Sequence, residues 1–304
     1  MKFDNRIILV LVAVIGIYAI FLFISDFSII SEKISNFKIN YLPLILFFVS
    51  ASWTPLFIKW HFLLKNCEIH VPLKKSILVF LSGPAFEITP GQIGALVKSQ
   101  ILKTSSNIPR TKTVPIIVVE KVYDLIGAVL ASIIGIVILG MEPHLIIIAI
   151  LVLVTIFFFV YYRPASEIFF KQIAKRKFFS KYVENISDFY EIVHKSTNVK
   201  VATICILLAL TYWFMVSAAA YYTLIAFDIN ILDYLKVLAI YATSTLLGAI
   251  SFIPAGIGIT EGSITGLFTL NGIDVSTALI LSVMIRVLTL WYSVSVGFVL
   301  LKFT

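Results

Sequence analysis

Six ionisable residues stand inside long apolar stretches of this 304-residue chain, Glu87, Glu120, Lys121, Asp124, Glu261 and Arg286, and a seventh, Lys98, stands at the end of one. A charge at mid-bilayer is costly unless it is paired or hydrated, so such residues face a bundle interior or a wet cavity. Glu120 and Asp124 are four apart and share one helix face. Counting along their runs places Asp124 roughly 15 Å deep and Arg286 at about the same depth. An ion pair from Arg286 to Asp124 or Glu120 is therefore geometrically available, either as structural glue or as part of a substrate or gating site. Glu87 and Glu261 lie beside helix breakers, where a carboxylate can cap freed backbone amides or carry a proton. Lys98 and Lys121 can attract a lipid phosphate or snorkel to the interface.

Two breakers must position these charges. The first is Thr89-Pro90-Gly91-Gln92-Ile93-Gly94, the second Pro254-Ala255-Gly256-Ile257-Gly258, and one offset of 164 residues aligns Pro90 with Pro254 and Gly94 with Gly258. At that offset the apolar run 41–58 lands on 205–222 and the run 114–137 on 278–301. The chain reads as one integral membrane domain, 1–304, built from two repeats of about 1–140 and 141–304.

Sixty per cent hydrophobic residues and a mean hydropathy of +1.03 lie far outside the soluble range and point to a polytopic, all-α membrane protein. Six runs are long enough to span, 7–24, 41–58, 114–139, 144–162, 201–226 and 275–301. Around each breaker, at 76–102 and 234–271, shorter apolar pieces predict re-entrant helical hairpins, although the first limb of the second is long enough for a full crossing. The net charge of +8 resides in loops between the runs, which argues for membrane orientation and against nucleic acid. The basic loops 59–75, 98–113 and 163–200 all fall on one side when both termini are cytoplasmic. Three spans per half is an odd number, so the two halves are inverted and the hairpins opposed, as in transporters that hold substrate between inverted repeats. Loop 163–200 fits either an interfacial amphipathic helix or a solvated connector. His61, His70, His144 and His194 lack metal-ligand spacing, and Cys67 and Cys205 imply no disulfide, so no metal or cofactor is expected.

Four motifs resemble the transmembrane, flippase-like domain family of lysylphosphatidylglycerol synthases, also found as stand-alone membrane proteins. They are Thr-Pro-Gly-Gln-Ile-Gly at 89–94 followed by Lys98, Val-Val-Glu-Lys-Val-Tyr-Asp at 118–124, Pro-Ala-Gly-Ile-Gly-Ile-Thr-Glu at 254–261, and Arg286 in the last helix. Ala255 replaces a usual glycine, Lys121 a usual arginine, and Glu87 stands near the place of a basic residue. The resemblance implies transfer of a polar-headed or anionic lipid, a phospholipid or a polyprenyl-phosphate-linked sugar, between leaflets of the cell membrane. Arg286, Lys121 and Lys98 would then hold its phosphate, with Glu120, Asp124, Glu261 and Glu87 around it. The chain ends three residues after its last run, so synthase activity is not expected of it. The alternatives are a membrane-embedded glycosyl- or phosphotransferase, which would need an acidic loop motif, and a non-catalytic partner of a separate synthase or glycosyltransferase.

Overall fold

The computed structural model describes residues 35–86, 94–138 and 186–304, together with Thr89, Gly140, Ile147, 150–155 and Phe158. The predicted spans 7–24 and 144–162, Glu87, Pro90, Gly91 and most of loop 163–200 fall wholly or largely outside the described residues. Among the described residues every regular element is a helix. They are α1 (Leu42–Asn66), α2 (Leu73–Ser82), α3 (Val97–Ser106), α4 (Arg110–Ile138), α5 (Ile186–Ser196), α6 (Val199–Ala226), α7 (Tyr234–Ile250), α8 (Ile259–Leu270), α9 (Val275–Arg286) and α10 (Tyr292–Leu300), the last two joined by a π-helical turn over Val287–Trp291.

Local chemistry sets several of these boundaries. Asp233 and Asp274 cap α7 and α9 by accepting the amide protons of Lys236 at 2.9 Å and Thr277 at 3.0 Å, and Asn198 caps α6 in the same way. Asn107, in the left-handed region at φ 54°, closes α3.

Four continuous helical segments are long and apolar enough to cross a bilayer: Ile39–Asn66, Arg110–Ile138, Val199–Ala226 and Val275–Phe303. They coincide with four of the six predicted runs. Their outward faces carry large apolar side chains in the open, among them Phe47 at 61%, Val137 at 61% and Leu207 at 59% exposure. Such faces are stable against lipid and would not be in water. The first segment outlasts its predicted run, 41–58, by eight residues. Lys59 and His61 interrupt the hydropathy there, but Trp60, Leu63 and Leu64 continue the buried face.

α1 and α6 pack together and run antiparallel, as their end contacts show. At one end Lys38 donates to Asp228 at 2.8 Å, and at the other Lys195 donates to Glu68 at 2.6 Å and Asn66 to the carbonyl of Lys195. The loops predicted to share a side thus do meet. α2 and α3, ten residues and about 15 Å each, form a pair whose outer ends join where Lys75 donates to the Ser105 carbonyl. α7 and α8 form a second pair, with Ile231 packed near Gly272 at the outer end. α7, at 17 residues or about 25 Å, falls short of a hydrocarbon core of about 30 Å. The first pair follows the Asn66 end of α1 and the second follows the Ala226 end of α6, which are opposite ends of the antiparallel bundle.

Shifted by 164, α1 to α4 fall on 206–230, 237–246, 261–270 and 274–302, which are the places of α6, α7, α8 and the α9–α10 segment. Packing is exchanged between the halves. α4 lies on α7 with Gly135 against Ala239, while α10 lies on the turn over Gly83–Phe86 with Gly297 against Ala85. Small residues at these crossings let backbones approach closely, the usual means of helix association where lipid removes the hydrophobic drive.

Candidate functional site

Helix α4 presents Glu120 and Asp124 on one face, as their spacing requires. α3 places Lys98 in its first turn, directly after the first breaker, and antiparallel packing brings Lys98 to Glu120 at 2.5 Å. Both side chains are at most 5% exposed. The Lys98 ammonium also lies 4.3 Å from the Trp60 ring centroid and 5.6 Å from that of Phe80, so its charge is shared between a carboxylate and two aromatic faces. Lys98 is therefore turned inward, and snorkelling does not describe it.

Asp124 is held by two bases. One oxygen accepts from Lys59, which is fully buried on α1, and the other lies 3.6 Å from Lys121. Lys121 and Asp124 are about a quarter exposed and border a small cleft of about 70 Å³. Its polar wall is Lys98, Glu120, Lys121 and Asp124, and its apolar wall includes Trp53, Leu56, Phe80 and Pro84. Tyr212 of α6 and Ser293 of α10 close it from the second half. Trp53 is braced from behind by stacking on Tyr292 at 5.6 Å.

The second breaker carries the other charges. Pro254–Gly256 is a single 3-10 turn, and Ala255, Gly256 and Gly258 all take positive φ, 53°, 65° and 85°. Glu261 sits in the first turn of α8. One of its oxygens accepts the Gly258 amide proton at 2.7 Å and the other accepts from Arg286 Nε at 3.0 Å. Arg286 also donates to the carbonyl of Ala255. The capping role expected of Glu261 is thus realised, and the arginine clamps the turn from the opposite side. In the first breaker, Thr89 accepts the amide proton of Gly94 at 2.7 Å, and a Cβ at Gly94 would come 2.0 Å from the Phe86 carbonyl oxygen, so the chain closes there because the side chain is absent.

The structure brings Lys98, Glu120, Lys121 and Asp124 to one cleft and holds Glu261 and Arg286 at another place; Glu87 lies outside the described residues. The pairing of Arg286 with Asp124 or Glu120 that equal depth allowed is not the one formed; Arg286 pairs with Glu261. Equal depth in the membrane sets height alone, and each acid of α4 finds a base from its own half beside it. Lys59, assigned to a loop on sequence, is the site residue that reasoning missed. Its signal was Trp60, Leu63 and Leu64, which extend the apolar face past it.

A family model described as the lysylphosphatidylglycerol synthase TM region matches residues 7–297, nearly the whole chain. The chain belongs to this family. It is a multi-pass membrane protein, and the matched range takes in both breakers and all four motifs. A comparison with curated proteins returns no match. Within this family domain the two halves share one device. In each, the short helix after the breaker is tied by a buried ion pair to the long helix that follows, Lys98 to Glu120 in the first and Glu261 to Arg286 in the second. The sign of the charges is exchanged between them.

Proposed function

We propose that this chain moves a polar-headed or anionic lipid between membrane leaflets, as a flippase-like protein and not as an enzyme. The observation that carries the reading is the cleft beside α4, where Lys59, Lys98, Glu120, Lys121 and Asp124 cluster in a helix bundle whose outer faces suit lipid. Intramembrane ionisable residues around a cleft suit a polar substrate, and a cleft bordered by both halves suits one that must be offered to two sides.

In this proposal the pairs α2–α3 and α7–α8 are opposed re-entrant hairpins of an inverted repeat with six full spans, both termini cytoplasmic. The placement of the two pairs at opposite ends of the antiparallel α1 and α6 supports it. Lys121 and Lys98 meet the lipid phosphate while the chains stay in the bilayer. Arg286 braces the second breaker, so its contribution is to hinge geometry. Membrane lipids are the partners, and a separate synthase or glycosyltransferase supplies or uses them.

The test is transfer of fluorescent lipids in vesicles holding only this protein. Wild-type protein is expected to move an anionic label to the opposite leaflet, and Lys121→Gln to slow the initial rate about tenfold or more, equivalent to about 1.4 kcal/mol, while inserting normally. No transfer by folded wild-type protein contradicts the function. An unchanged rate in the variant contradicts the site.

A further inference from the structure

A groove of about 400 Å³ lies between α1, α6 and the start of α7, and none of its described lining residues borders the charged cleft. Phe214, Ala218, Tyr221 and Tyr222 recur at helical spacing and share one face of α6. Phe48 of α1 and Tyr234 of α7 bring two further rings to that face, and Met215 adds a thioether. The rings are set at angles to one another. Tyr221 stands at 88° to Tyr234, with centroids 5.9 Å apart, and at 68° to Tyr222, 5.6 Å away. Tyr222 is backed by Phe48, nearly parallel to it at 5.4 Å. Tyr234 is fixed by its hydroxyl, which donates to the Phe214 carbonyl at 2.6 Å. A tyrosine of an interfacial belt turns its hydroxyl to headgroups and water, whereas this one is held by backbone and leaves its ring as a wall. Phe48, Tyr221, Tyr222 and Tyr234 are half-buried and Phe214 is exposed, so ring surface remains open to a ligand.

We infer that this groove is an aromatic cage for the quaternary ammonium group of a choline-type lipid headgroup. The face of an aromatic ring is the negative end of its quadrupole and attracts a cation held within about 6 Å of the centroid. Rings that meet near a right angle let one cation lie against more than one of them. A primary ammonium brings three N–H donors that lose their water on entry and need acceptors in return. A quaternary ammonium brings none, and its methyl groups suit the apolar surface of Met215 and Ala218. The source is a lipid because the groove runs along α1 and α6, two of the segments long enough to cross a bilayer, where a headgroup arrives with its chains already in the membrane. The inference goes beyond the proposed transfer and holds whether or not the cleft passes lipid.

The test is equilibrium dialysis of three short-chain lipids against the purified protein in a neutral maltoside detergent. They are phosphatidylcholine, phosphatidylethanolamine, and the neutral-headed isostere of phosphatidylcholine in which carbon replaces the quaternary nitrogen. Wild-type protein is expected to bind phosphatidylcholine about tenfold or more tighter than either of the others. Tyr221→Leu and the exposed-site variant Phe214→Leu keep apolar volume and remove a ring, and each is expected to lose most of that preference. Tyr221→Phe keeps the ring and is expected to retain it. The thermal midpoint of each variant shows that it is folded, and Phe214→Leu carries the test if Tyr221→Leu is not. Equal binding of the isostere would reduce the groove to a seat for apolar groups and overturn the inference, as would a preference for phosphatidylcholine that survives in folded Phe214→Leu and Tyr221→Leu protein.

Discussion

Glu120 and Lys98 depend on one another because both side chains are almost fully buried and each is the other's charged partner. Removing one member of a buried pair leaves an uncompensated charge, at a typical cost of about 3–5 kcal/mol. Glu120→Gln is therefore expected to destabilise the protein by about that much, read as a lowered thermal midpoint in detergent, and Lys98→Met added to Glu120→Gln to regain most of it. A double variant no more stable than the single one would show that Lys98 draws its stabilisation elsewhere. The acids and the bases of α3 and α4 were legible in the sequence, because a charge inside an apolar run stands out. Their pairing was not. Depth along a helix follows from counting residues, whereas the direction in which Lys98 or Arg286 points depends on how neighbouring helices cross. Lys59 escaped for a different reason, since a lysine followed by a histidine lowers local hydropathy just as the end of a span does.

At the scale of elements, both breakers were legible from Pro, Gly and a single offset, because the left-handed and sterically crowded positions they create restrict residue choice. The second turn departs from that economy at Ala255. A residue with a Cβ at φ 53° is held in a conformation that costs of order 1 kcal/mol, and here the Arg286 clamp on the Ala255 carbonyl helps to enforce it. Ala255→Gly is expected to stabilise the folded protein by up to about 1 kcal/mol, the relieved strain outweighing the greater freedom of the unfolded chain. A lowered thermal midpoint would show that the alanine methyl packs favourably. The length of α7 needed the structure, since its apolar residues run on into Phe252 and Ile253 and hydropathy does not mark where the helix stops. The charge sign is exchanged between Lys98–Glu120 and Glu261–Arg286, so each pair ties a short helix to the long helix that follows it while leaving a different local field.

The whole molecule is organised by the antiparallel α1 and α6, each leading into a short helix pair at its own end. Ion pairs mark both ends, and the hydrogen bond from Lys195 holds the Glu68 carboxyl below its ordinary range, so that tie is present at neutral pH. In the proposed transport, the short pairs would move against the long helices to present the cleft to either side. The proposed transfer requires lipid headgroups to pass through the cleft. The direct measurement uses Trp53→Cys in a background with Cys67→Ser and Cys205→Ala, reconstituted in vesicles and treated with a bulky thiosulfonate. Lipid transfer is predicted to fall to background as the thiol is modified and to return when a reductant removes the group. Transfer that continues unchanged at full modification would place the route elsewhere in the protein.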